Sequence, residues 1–425
     1  MRKAAFAAFV GATAWIAASC TARRSTTTLT VWALGREGEV LPELISDFER
    51  AHAPLKVVVQ QIPWTAAHEK LLTAYVGESM PDLMEIGNTW VPEFAAIRAL
   101  RPLDREAASS KALAPGDFFP GAWDTNVVEG RLYGIPWYVD TRVLFYRTDL
   151  LARAGVAGPP RTWTEWIAAL RKLKAAAPPG GFAILLPTDE WAQPIILGMQ
   201  LRSGLLRDDG RYGDFGAAPF RRAFGFYIDL FRDGFAPAVS NVQIANVYDQ
   251  FARGDFAMYI TGPWNLGEFR RRLPPALASR WTTAPLPGPE DGEAVSIAGG
   301  ASLAVSASTK HPAEAWQLVE FLSRAAIQSR FHDLTGDLPA RVDAWRTPAL
   351  ARDPEARAFW DQLHRVRPLP KVPECEHIAR KVAEYAEMAI RGKMTTGAAL
   401  AALDRDTDRI LEKRRDLLAR RKARP

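Results

Sequence analysis

The sequence predicts an α/β protein of two lobes, each a mostly parallel sheet flanked by helices. Three observations predict it. Strand-like runs alternate with amphipathic helical segments, the pattern of parallel sheets covered on both faces. A chain of 425 residues exceeds what one hydrophobic core usually organises, which favours two. With 48% hydrophobic residues it has the material to fill both.

The first element is a targeting segment. Arg2-Lys3 precede a short apolar run, Ala4 to Ile16, and then Ala17-Ala18-Ser19-Cys20. A positive start, a brief apolar stretch and small residues before a cleavage point make residues 1–19 a secretory signal, too short to span a bilayer. Cys20 resembles the acylated cysteine of a bacterial lipobox, although Ala17 stands where such motifs usually carry Leu. Lipid on Cys20 is the expectation, and a plain signal peptide is the alternative. Cys375 then has no disulfide partner. Residues 20–28 are polar and aperiodic, a tether.

The folded part opens with a strand at Leu29 to Ala33, a helix burying Leu41, Leu44, Ile45 and Phe48, and a second strand at Lys56 to Val59. A helix with Leu71, Leu72 and Tyr75 leads to a third strand, Pro81 to Ile86. In such sheets ligands bind beyond the carboxyl ends of the strands. Leu34 to Glu37, Pro63-Trp64 and Asn88-Thr89-Trp90 each follow a strand.

A second unit begins near Asp140. Thr162 and Glu165 have capping-box spacing, and Trp166, Ile167, Leu170 and Leu173 form the buried stripe of the helix they open. Ala183 to Leu186 is a strand followed by Asp189-Glu190-Trp191; Phe256 to Ile260 is another, ending in Thr261-Gly262-Pro263-Trp264. Ala301 to Val305 is a further strand, and His311-Pro312 starts a helix.

The formal charge is +6, with charged residues at an ordinary 24% and dispersed except in the tail from Arg414 to Lys422. That tail reads as a solvated amphipathic helix, so no nucleic-acid partner is expected. No Gly-x-Ser-x-Gly, His-Glu-x-x-His, Cys-x-x-Cys or phosphate loop occurs. His68-Glu69 lacks a second His at metal-site spacing, and Asp208-Asp209-Gly210 lacks the rest of a calcium loop. No metal or cofactor is expected.

Five segments in register carry a resemblance: Leu29 to Phe48, Pro81 to Trp90, Tyr133 to Leu151, Gly254 to Trp264 and Gly299 to Leu322. Together they resemble the extracellular solute-binding proteins of carbohydrate ABC importers, the family containing maltose- and trehalose-binding proteins. The resemblance implies a hinged, two-lobed periplasmic-binding-protein fold. It sets 29–139 plus 296–338 in the N-terminal lobe and 140–295 plus 339–425 in the C-terminal lobe. Hinges are implied near Tyr138–Arg142, Val295–Gly299 and Asp337–Arg341.

The function so implied is capture of an oligosaccharide or disaccharide, an α-glucoside among the options, by a monomer outside the cytoplasm. It is implied to work in the periplasm or at the cell surface, held to membrane through Cys20, and to deliver sugar to ABC permease subunits served by a cytoplasmic ATPase. No enzymatic activity is expected. The rivals are a secreted polysaccharide hydrolase or lyase, and the same fold binding a polyamine, peptide or anion.

Sugars present hydroxyls around weakly apolar ring faces, so a sugar cleft needs aromatic planes, carboxylates, amides and Arg. Of fourteen Trp, the post-strand ones Trp64, Trp90, Trp137, Trp191 and Trp264 are expected to line the cleft, with burial in the core as the competing reading for each; Trp32, Trp163, Trp166 and Trp316 are expected to pack. Asp140 stands where the family often places an acidic ligand residue, with a hinge ion pair to Arg142 as its alternative. Asp189 and Glu190 stand in the matching loop of the second lobe. Asn88, Gln193, Arg36 and Glu37 are lesser candidates; Gly299-Gly300 is expected to let backbone approach the ligand closely, with a strand-entry turn as the alternative, and Arg341 to reach the cleft, with ordinary surface charge as its alternative.

Overall fold

The computed structural model describes residues 26–422, so the expected signal peptide, Cys20 and most of the tether lie outside the described residues. The strands that build the two main sheets and the crossing between them are, in chain order, β1 (Thr28–Leu34), β2 (Lys56–Ile62), β3 (Leu83–Gly87), β4 (Ile135–Asp140), β5 (Val143–Arg147), β6 (Phe182–Leu185), β7 (Phe256–Thr261), β8 (Trp281–Ala284), β9 (Ser296–Ile297), β10 (Gly299–Val305), β11 (Leu338–Pro339) and β12 (Val366–Arg367).

The first sheet runs β11-β4-β10-β3-β1-β2. β1 pairs parallel with β2 and β3, and β10 returns antiparallel between β3 and β4. β4 therefore points the same way as β1 to β3, whereas β10 and β11 are reversed. Every residue of β3 is buried, as befits an inner strand covered on both faces. The helix Gly35–Ala51 buries Val40, Leu41, Leu44, Ile45 and Phe48 at helical spacing against this sheet.

The second sheet runs β8-β5-β7-β6, with β6 parallel to β7 and β5 antiparallel to both of its neighbours. Alternation along β5 divides its side chains. Leu144 and Tyr146 pack with Ile184 and Met258 in the second lobe's core. Phe145 faces the other way, onto Phe269, Trp281 and Phe359, in a cluster continuous with the core of the first lobe.

Only Thr141 and Arg142 separate β4 from β5, so the chain passes between the sheets in one step. That step is tied to the returning segment. Thr141 Oγ1 donates to the Ile297 carbonyl at 2.7 Å, and Ser296 Oγ accepts from Arg142 N at 3.2 Å and donates to its carbonyl at 3.1 Å. β9 pairs in parallel with β12 alongside. After β11 the chain stays with the first lobe, where Trp345 Nε1 donates to the Pro339 carbonyl. It then reaches the second sheet with the helix Pro354–Leu363, whose Gln362 Oε1 accepts from Leu286 N at 2.9 Å.

Thr162 caps the helix Trp163–Ala176 by accepting from Glu165 N at 3.2 Å, while Glu165 reaches back one residue further than a capping box requires, to Arg161 N at 2.7 Å. Thr162→Ala is expected to cost about 1 kcal/mol of stability, seen as a lower Tm with unchanged ligand affinity.

Candidate functional site

The carboxyl ends of β1, β2, β3 and β4 and the amino ends of β10 and β11 share one edge of the first sheet, because Gly299 pairs with Asp140 and Leu338 with Val139. The carboxyl ends of β6 and β7 and the start of β5 share an edge of the second, where Thr261 pairs with Val143. Asp140 to Arg142 belongs to both edges.

Four of the expected tryptophans stand at strand-to-helix junctions on these edges. Trp64 opens the helix Trp64–Val76, Trp90 caps Val91–Ala96, Trp191 caps Ala192–Gln200, and Trp264 opens Trp264–Arg272. Trp64, Trp90 and Trp191 are half-buried and Trp264 is 45% exposed. Trp64 and Trp90 meet edge to face with centroids 5.7 Å apart. Trp90 is also braced by His68, 5.1 Å away, which pairs with Glu93 at 2.6 Å.

Trp264 lies over Gly262: a Cβ there would fall 1.9 Å from its Cζ3. The Arg142 guanidinium sits over the same ring, 4.5 Å from its centroid, and donates to Asp140 Oδ1 at 2.8 Å. The ion pair weighed as the alternative for Asp140 is therefore present, and it links the crossing strand to the exposed aromatic plane. Gly262→Ala must displace the ring and is expected to weaken ligand binding about tenfold, about 1.4 kcal/mol, with little change in Tm, since an exposed ring can swing outward. Calorimetric titration checks it.

One acid touches Trp64, and two more cluster with that acid. Its Nε1 donates to Glu37 Oε2 at 3.4 Å. Glu85, in the middle of β3, accepts from Leu34 N at 2.7 Å and from the Tyr138 hydroxyl at 3.2 Å. Asp337, just before β11, shares a hydrogen bond with Glu37; burial and the Glu37 charge push its carboxyl up to about 8. Part of Asp337 reaches the solvent edge, but its carboxyl lies inward among these acids. Burial raises Glu37 as well, and burial with the Glu37 charge holds Glu85 well above the carboxylate range.

On the second edge, Asn241 joins the two expected acids. Its backbone N donates to Asp189 Oδ1 at 2.8 Å, and its Nδ2 reaches Asp189 Oδ1 at 3.1 Å and Glu190 Oε1 at 3.2 Å.

Five expectations change. Trp137 has no exposed surface and stacks on Phe331 at 4.4 Å, because within β4 it points away from the face of Tyr138 and Asp140. Arg341 is buried against the first lobe, donating to the Ala112 carbonyl at 3.0 Å and pairing with Asp117 at 3.3 Å. Gly300 has φ of +118°, and a Cβ there would come 2.2 Å from the Tyr138 carbonyl, so the neighbouring strand requires this glycine. Asn88 is 6% exposed, with its amide turned to the Ala298 carbonyl at 3.4 Å. Arg36 points outward and pairs with Glu39. Glu85, Tyr138 and Asp337 were not anticipated; the available signal was an acid inside an otherwise apolar strand.

Residues 32–329 match the family model described as bacterial extracellular solute-binding protein. The chain is 47% identical to the sugar-binding protein MalE from the phytopathogen Xanthomonas citri, with a TM-score of 0.89 over 92% of this chain and 99% of that one. It is 25% identical over 379 residues to the galactooligosaccharide-binding protein of Bacillus subtilis, covering 88% of this chain and 86% of the relative. It is 29% identical over 292 residues to the diacetylchitobiose binding protein DasA of Streptomyces coelicolor, covering 67% and 66% respectively.

Proposed function

The chain belongs to the bacterial extracellular solute-binding protein family, and from that premise we propose that it captures an oligosaccharide or disaccharide between its two lobes and delivers it to an ABC importer. One observation carries the sugar reading. Tryptophans at four strand-to-helix junctions, on two sheet edges joined at Asp140–Arg142, combine aromatic planes with carboxylates in the way that ring faces and hydroxyls require. The 47% identity to a sugar-binding protein supports it.

In this reading Trp264, Trp90, Trp64 and Trp191 contact sugar rings, and Asp140, Glu37, Asp189 and Glu190 accept hydroxyl protons. Asp337 joins them on the first lobe, whereas Trp137 and Arg341 are left to packing. The lobes follow the ranges given above except that 339–353 stay with the first lobe; they close as a hinge and present the closed form to permease subunits served by a cytoplasmic ATPase. The protein works as a monomer outside the cytoplasm and releases its ligand unchanged. Cys20 carries the lipid anchor, which incorporation of labelled fatty acid would report.

Thermal-shift and calorimetric screening tests the proposal. The panel holds glucose- and galactose-based oligosaccharides, α-glucosides first, with polyols and polyamines. A matching sugar at a hundred times Kd adds about 2.7 kcal/mol to stability. Stabilisation by polyamines alone would sink the sugar reading. Mass spectrometry of the incubated sugar decides between capture and cleavage.

A further inference from the structure

A small cavity of about 10 Å³, lined mostly by apolar surface, lies behind the loops that carry Trp191 and Trp264. Leu186, one residue past β6, Ile260 near the end of β7, and Gln193 in the helix that Trp191 caps all line it. Trp166 and Tyr227 close it from two further helices, Trp163–Ala176 and Ala218–Arg232. Three of these residues bring a buried polar atom that finds no hydrogen-bond partner among the described residues: Trp166 Nε1, Gln193 Oε1 and Tyr227 Oη. Their residues are 1%, 4% and 0% exposed. Gln200 lines the same cavity but is satisfied, accepting from Trp163 Nε1 and donating to the carbonyls of Pro287 and Val295.

The unpaired set is chemically complementary to one small molecule. An indole N–H only donates, an amide oxygen only accepts, and a phenol does either. We propose that the cavity is a binding site for a single structural water, which accepts from Trp166, donates to Gln193 and bonds Tyr227. Room for one molecule and three polar partners are what a buried water requires. Bound there, it joins three helices directly behind the Asp189–Trp191 loop. Glu190 and Asp189 are near enough for their charges to reinforce the effect of burial in raising the Tyr227 phenol. The site goes beyond the sugar reading, because it does not depend on which ligand the cleft takes.

The test is a crystal structure of the wild-type chain at a resolution that shows ordered water. One fully occupied water within hydrogen-bond distance of Trp166 Nε1, Gln193 Oε1 and Tyr227 Oη is the expected result. A dry cavity, a direct Tyr227-to-Gln193 hydrogen bond, or density for a larger molecule would overturn it. In solution, water-oxygen relaxation dispersion should lose one long-lived water in Gln193→Leu. Tyr227→Phe, which keeps the ring volume, should retain the water with a shorter residence time. Wild-type and Gln193→Leu profiles that coincide would equally sink the site.

Discussion

Trp264→Ala is expected to weaken sugar binding roughly 100-fold while leaving the fold nearly as stable as before. The ring is 45% exposed, so truncation opens no cavity in the free protein. What the free protein loses is the Arg142 contact, about 0.5–1 kcal/mol for an exposed cation–π pair. What the complex loses is the burial of an aromatic face, about 1.5–3 kcal/mol for a large side chain. Trp137→Ala should give the mirror image. That ring is fully buried on Phe331, and its removal is expected to cost about 3–5 kcal/mol of stability, with sugar affinity preserved wherever the variant is folded. Calorimetric titration and denaturant unfolding on both variants separate the roles. Affinity within threefold of wild type for Trp264→Ala would remove that residue from the site.

Stability should fall as pH rises from about 5 to about 8. Asp337 is raised to about 8, Glu37 is raised and Glu85 is raised well above its ordinary value. Each acid so raised keeps a proton in the folded chain at pH values where the unfolded chain has released it. Its stabilisation is therefore full below the unfolded value near 4 and is lost as pH climbs through the folded value. The loss is at most about 1.4 kcal/mol per pH unit for each proton. Acids held low, such as Asp82 and Asp149, act in the opposite sense but below that window, losing their contribution only as pH falls beneath about 4. Urea unfolding at pH 5.5, 7 and 8.5 measures the slope, and Asp337→Asn should flatten it. A wild-type profile that rises over this range would contradict the shared-proton arrangement of Glu37 and Asp337.

Much of this site was legible because strands and helices alternate so regularly. Trp64, Trp90, Trp191 and Trp264 each follow an apolar run that ends at a sheet edge, and each indeed stands where a helix begins. Trp137 follows the same local grammar, yet it lies inside β4, and the two-residue period turned it to the core. Glu85 lay hidden for the reverse reason. In Leu83–Gly87 it is one acid among apolar residues, and only the closure of Tyr138 and Leu34 N over it shows what holds it there. Arg341 pairs with Asp117, far away in sequence, and no local pattern announces that. The pairing of Asp337 with Glu37 is equally non-local.

Strand β10 sits between β3 and β4, yet it is made only after all of β5 to β8. A chain emerging amino end first therefore holds β3 and β4 with their facing edges unpaired until Gly299–Val305 appears. The strands in between need nothing later to pair with one another, so the second sheet can assemble before the first is whole. Such non-local pairing forms slowly, and open strand edges invite adhesion to other chains. The order of synthesis thus leaves the facing edges of β3 and β4 open until the chain has been made as far as Gly299–Val305.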